Sequence, residues 1–156
     1  MQTSAKAGIL FVIILILVPA VAAEDSLEWY TKGANAAAVG NYADAITYYN
    51  NALSLDPSYA LAMSGKAVAF NALGRYAEAL DSANQALAIR TSADTLNARA
   101  YALYKLGRYD EAIAAYVNMT ATVTNNAAAY CNLGTSYAQI GNPDAALKAY
   151  AKCTNL

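Results

Sequence analysis

The sequence predicts an all-α protein, a solenoid of about four helical hairpins preceded by an apolar N-terminal segment. Three observations carry that prediction. Glycine returns as Gly40, Gly74, Gly107 and Gly141, in the settings GNYADA, GRYAEA, GRYDEA and GNPDAA, at intervals of 34, 33 and 34 residues. Small and apolar residues recur at matching offsets on both sides of each glycine, and no strand pattern intervenes. A repeat of this period marks stacked supersecondary units, none of which can bury its apolar face without a neighbour. Function is therefore expected on a repeated surface and not in a catalytic pocket.

The chain begins with a separate element, residues 1–23. Lys6 precedes the run Ala7–Ala23, 17 residues, whose densest part is Ile9–Val18, followed by Pro19 and small residues up to Ala23. That is the layout of an export signal cleaved near Ala23. The alternative is an uncleaved membrane anchor, since the run is at the lower limit for spanning a bilayer. Either way the repeats, residues 24–156, are expected outside the cytoplasm, at the cell surface, in a periplasm or secreted.

Four units follow, near 26–59, 60–92, 93–126 and 127–156. In each, a first helix carries one apolar stripe at steps of four, three and three: Trp29, Gly33, Ala36, Val39; Met63, Ala67, Phe70, Leu73; Leu96, Ala100, Leu103, Leu106; Tyr130, Gly134, Tyr137, Ile140. Such spacing places the residues on one face of a helix. A second stripe follows the glycine: Ala45, Tyr49, Ala52, Leu53; Ala79, Ala83, Ala86, Leu87; Ala112, Tyr116, Met119; Ala146, Tyr150, Cys153. The glycine ends the first helix in the left-handed conformation, and Asn41, Arg75, Arg108 or Asn142 opens the second. Asn142-Pro143 is the clearest start, an N-cap followed by a proline that loses no hydrogen bond. The small pairs Gly33/Ala45, Ala67/Ala79, Ala100/Ala112 and Gly134/Ala146 are expected where the two helices cross.

Trp29, Gly33, Ala45, Tyr49, Ala52 and Pro57 of the first unit carry a resemblance to the tetratricopeptide repeat, or TPR. It covers residues 26–156 and implies a right-handed α-solenoid whose first helices line a concave groove. The chain departs from the family pattern at Lys32, Lys66 and Arg99, where leucine is favoured, and at Thr91 and Thr124, where proline is.

Composition narrows the function classes. Charged residues make up 13% of the 156, with 10 Lys+Arg against 11 Asp+Glu, so the clustered basic surface that nucleic acid requires is missing. Histidine is absent, which removes the commonest general base and metal ligand. Two cysteines are too few for a zinc site. Asp44, Glu78, Asp110, Glu111 and Asp144 fall in the first turn of a helix, where they complement its dipole. No cofactor, metal or enzymatic activity is expected.

The implied function is a non-enzymatic scaffold that binds a protein or peptide. By the resemblance, the groove positions are Leu27, Tyr30, Ala34 and Ala37; Leu61, Ser64, Val68 and Asn71; Asp94, Asn97, Tyr101, Tyr104 and Lys105; Cys131, Thr135, Ala138 and Gln139. Lys105 is the only cation among them, so a neutral ligand is implied. Eight of the 13 tyrosines, Tyr42, Tyr49, Tyr76, Tyr109, Tyr116, Tyr130, Tyr137 and Tyr150, stand at repeat positions and are expected in the core. Of the rest, Tyr101 and Tyr104 lie near Asn97 on one helix and could form a recognition patch. An alternative is self-assembly, in which a bare final unit exposing Tyr137, Tyr150 and Cys153 stacks head-to-tail on another copy. An oxidising exterior would allow a Cys131–Cys153 disulfide, with two buried thiols as the alternative. Asn118-Met119-Thr120 is an acceptor sequon for N-glycosylation.

Overall fold

Among the described residues, eight helices form in the order that the repeats dictate. The computed structural model describes residues 25–123 and 126–155. The first hairpin is α1 (Ser26–Ala38) with α2 (Tyr42–Leu55), the second α3 (Ala60–Ala72) with α4 (Tyr76–Ile89). The third is α5 (Ala93–Lys105) with α6 (Tyr109–Thr122), the fourth α7 (Ala127–Gln139) with α8 (Pro143–Thr154). Each helix packs on its chain neighbours, and α3 also packs on α1 and α5, as does α5 on α7, which makes the molecule an α-solenoid. The apolar segment 1–23, expected to be a leader or an anchor, and Thr124 lie outside the described residues. Among the described residues, no helix is long and apolar enough to cross a membrane.

The four turns share one hydrogen-bonding scheme. Gly40 has φ +81° and Gly107 +75°. The Gly107 N–H donates to the Tyr104 carbonyl at 3.0 Å and the Arg108 N–H to that of Leu103 at 3.0 Å, so two end carbonyls of α5 are satisfied. A β-carbon at Gly107 would meet nothing within 4 Å, so the conformation alone selects glycine there. Gly107→Ala is expected to cost about 1–2 kcal/mol and Gly107→Asn less, measured by urea unfolding.

The residues that open the second helices differ from simple caps. The Asn142 side chain accepts from the Ala145 N–H at 3.2 Å, while the Asn41 amide donates instead to Asp44 at 2.6 Å. Arginine cannot accept. Arg75 and Arg108 instead donate to Glu78 and Glu111, one turn on, and hold both carboxyls below their usual range. These pairs are exposed and orient the turn more than they stabilise it.

The core is built from small residues at the crossings. Gly33, Ala45, Ala67, Ala79, Ala100, Ala112, Gly134 and Ala146 are all buried. The residue nine after each turn glycine decides how neighbouring units fit. Tyr49 is wedged between α1 and α3: a β-carbon at Gly33 would lie 2.6 Å from its ring, and one at Gly65 would lie 2.5 Å from it. At the next junction Ala83 packs with Ala67 and Ala98, alanine meeting alanine. Ring and small residue are thus exchanged between junctions while the fit is kept.

Burial of the Tyr49 phenol pushes its pKa up to about 12, from an ordinary value of 10.0. Its neutral form is favoured in the folded state. Stability is therefore intact below about pH 10 and falls as pH rises toward 12, where the unfolded chain releases that proton first. Alkaline titration by circular dichroism should show this loss, and Tyr49→Phe should flatten it.

The expectation that eight tyrosines are core is corrected. Tyr49 and Tyr116 are buried, Tyr42, Tyr76, Tyr109, Tyr130 and Tyr137 are half-buried, and Tyr150 is exposed. Tyr150 lies on Gly134, bonding Thr135 through its hydroxyl at 3.2 Å, and is 37% exposed where Tyr49 is 3%. The following helix that covers Tyr49 has no counterpart over Tyr150 among the described residues. The family departures also have a physical account. Lys32 places its ammonium 4.5 Å from the Trp29 ring centroid and Lys66 5.8 Å from that of Phe70, while Arg99 donates to Asn84 at 2.8 Å. Long stems cover the hairpin where leucine would, with the charge kept on a ring or an amide.

Candidate functional site

The first helices of the hairpins, α1, α3 and α5, face a cavity of about 700 Å³ that reaches from Tyr30 to Asn132 of α7. Nine of the positions that the resemblance placed in the groove line it: Tyr30 and Ala37; Leu61, Ser64, Val68 and Asn71; Asp94, Asn97 and Tyr101. Each sits just off the stripe that packs its helix, so the side chain is left for the concave side. Its floor is Tyr49, Gly65 and Ala98, the residues that join units.

Aromatic rings stiffen both ends of this surface. Tyr30 meets Tyr49 at 5.9 Å and Tyr59 at 5.3 Å between centroids, and Tyr101 meets Tyr76 edge-on at 6.3 Å. Between them runs a polar ridge. Thr95 Oγ1 donates to Ser64 Oγ at 2.7 Å, across units, and Ser92 and Thr95 share a further 2.7 Å bond. Asn71 Nδ2 donates to the Ala98 carbonyl at 2.8 Å. The Oδ1 atoms of Asn71 and Asn97 are buried without a partner.

The structure separates residues that the sequence grouped. Asn97 and Tyr101 line the cavity, whereas Tyr104 packs against the core of the last two units with its ring 5.6 Å from that of Tyr109. Lys105 is exposed, outside the lining, with its ammonium 5.3 Å from the Tyr101 centroid and 5.8 Å from that of Tyr104. The Tyr101 phenol raises its pKa. The groove's cation is instead Arg90, which caps α4 and which sequence reasoning missed. With Asp94 opposite in sign, the lining has no net formal charge. Cys131, Thr135, Ala138 and Gln139 do not line this cavity; from the fourth unit Asn132 does.

Other marked residues lie elsewhere. Cys131 of α7 and Cys153 of α8 form a disulfide with Cα atoms 5.2 Å apart. Asn118 is exposed on α6. Tyr137 and Tyr150 belong to the last hairpin. Among the described residues no three of His, Cys, Asp or Glu gather in a metal-binding group.

Family models for the tetratricopeptide repeat match residues 30–94 and 127–156, and one for the TPR repeat matches 100–141. The chain belongs to the tetratricopeptide repeat family. A TPR relative, the small glutamine-rich tetratricopeptide repeat-containing protein 2 of Mycosarcoma maydis, is 35% identical over 86 residues, 54% of this chain but 24% of its own length. The Methanocaldococcus jannaschii protein MJ0572 is 38% identical over 61 residues, 39% of this chain and 71% of its own. Among solved structures, the TPR solenoid of MamA superposes with a TM-score of 0.79 at 24% identity, covering 85% of this chain and 78% of MamA. The first TPR domain of human RPAP3 gives 0.70 at 24% identity, covering 76% and 94%. At such identities the likeness speaks for the fold. TPR domains in general bind protein partners.

Proposed function

We propose that the protein is a non-enzymatic scaffold outside the cytoplasm that holds an uncharged stretch of a partner protein in its concave groove. The observation that carries this reading is the groove itself: about 700 Å³, lined by tyrosine, serine and asparagine from three adjoining first helices, with charges that cancel. Tyrosine supplies rigid contact area with a polar tip, which suits recognition of a neutral surface. The apolar composition of residues 1–23 and the Cys131–Cys153 bridge speak for export, since disulfides persist in oxidising compartments. The leader would be removed near Ala23 or kept as an anchor that tethers the solenoid.

Tyr101→Ala tests the groove. It is expected to weaken partner capture at least tenfold without lowering thermal stability much, while Val117→Ala on α6 leaves capture unchanged. Equal capture by both variants would refute the groove as the binding surface.

Head-to-tail assembly has one observation in its favour: Leu147 is 67% exposed, and it shares the last hairpin's open face with Tyr150. That face would have to meet α1 of the next copy. The outward positions of α1 are Glu28, Thr31 and Asn35, all hydrophilic and all exposed, where the equivalent positions of α3 are Ala62, Gly65 and Ala69. Capture of a distinct partner is the better supported reading.

A further inference from the structure

The two ends of the solenoid are unlike. A terminal repeat needs a polar outer face, because no neighbour covers it. The first end has one in Glu28, Thr31 and Asn35, all exposed. The last end does not. Counted from their turn glycines, Leu147 and Tyr150 are the counterparts of Ile46 and Tyr49. In the first hairpin α3 covers that pair, Ala69 packing with Ile46 and Gly65 lying against the Tyr49 ring, and leaves them 8% and 3% exposed. Leu147 and Tyr150 are 67% and 37% exposed, and among the described residues no helix follows α8. Positions that are core in one hairpin are thus bare in another.

The bare face fits a copy of itself. Leu147, Tyr150, Ala151 and Thr154 are all exposed, and their steps of three, one and three set them in one stripe along α8. That spacing is the same read in either direction. Laid antiparallel on a second α8, Tyr150 meets Ala151 of the second copy and Leu147 meets its Thr154. A ring on a small residue is the fit that Tyr49 already makes with Gly33 and Gly65. The ring is also set in advance, since Tyr150 lies on Gly134 and bonds Thr135 at 3.2 Å, so pairing costs little side-chain freedom. No charge stands on the stripe. Lys148 and Lys152 instead line a cleft with Tyr130 and Tyr137.

We infer that two copies pair through their fourth hairpins, α8 against α8 about a two-fold axis. Head-to-tail stacking would press this stripe on the hydrophilic face of α1. Pairing tail to tail hides both bare faces, leaves both polar α1 faces outward and closes after two copies. With α7 and α8 of 13 and 12 residues side by side, each copy offers about 400 Å² in projection, so the contact is small and the pairing concentration-dependent. None of the groove's lining residues lies on α8, so the pair carries two open grooves. A ligand with two binding segments would then be held by avidity.

The test places a photo-crosslinkable residue in the full chain in its native cell, at Thr154 or, as control, at Asn35 of α1. Position 154 is expected to give a homodimer whose crosslinked peptide in the second copy contains Leu147, with a yield about fivefold or more above that from position 35. Leu147→Lys should lower the yield from 154 about fivefold or more. Because Leu147 is exposed, the same variant should keep its circular dichroism and melting temperature, so lost pairing is not lost fold. Absence of a homodimer, a crosslink from 154 to α1 or only to a different protein, or a yield that Leu147→Lys leaves unchanged would each overturn the inference. The groove reading is separate and falls only if Tyr101→Ala leaves partner capture intact.

Discussion

Gly65→Val is expected to lower stability by about 3 kcal/mol, since the inserted side chain has no room to enter. Even the first carbon it adds would lie 2.5 Å from the Tyr49 ring. That ring cannot retreat, because Gly33 of α1 backs it from the other side and Tyr49 is 3% exposed. Glycine in the middle of α3 costs about 1 kcal/mol in helix propensity, so its presence there is explained by the ring and not by the helix. The second junction, alanine throughout, shows the compensated state. Combining Gly65→Val with Tyr49→Ala should therefore lose less than the sum of the two single changes, by about 1–2 kcal/mol, in a double-mutant cycle. Strict additivity would mean that the ring is not the obstacle.

Loss of the disulfide is the second large effect. Cys131 and Cys153 are 22 residues apart, and opening a loop of that length costs about 3 kcal/mol in the chain-entropy account. The bridge ties α7 to α8 in a hairpin that adjoins one described neighbour, so its loss should act locally. Cys153→Ser, or reduction, is expected to speed amide exchange in α7 and α8 while α1 to α4 keep their protection. Unchanged exchange in the last hairpin would show that packing of Tyr150 on Gly134 suffices to hold it.

The fold was legible because its determinants are local and repeated. Four glycines forced to positive φ, the stripes ahead of them and the small residues at the crossings can each be read from spacing alone. The groove was legible wherever a position lies on a first helix at a constant offset: Tyr30, Ser64 and Asn97 are the same position in successive units. Arg90 escaped because it belongs to the short connection from α4 to α5, whereas the groove positions were read from the first helices alone. Tyr104 was misplaced for a related reason. It shares a helix with Tyr101, but the third unit's hairpin partner, Tyr109, draws its ring away from the groove. The bonds between Ser64 and Thr95 and between Asn71 and Ala98 join units 27 to 31 residues apart, a separation over which side-chain pairing has no periodic signal.

Photo-crosslinking from matched surface positions tests the central claim most directly. Val68 in the groove and Val117 on α6 are 44% and 46% exposed, so a crosslinkable residue at either site meets solvent equally. With the protein in its native cell, crosslinks to a partner are predicted from position 68 and not from 117. Crosslinks of equal yield from both, or from 117 alone, would contradict the assignment of binding to the concave face.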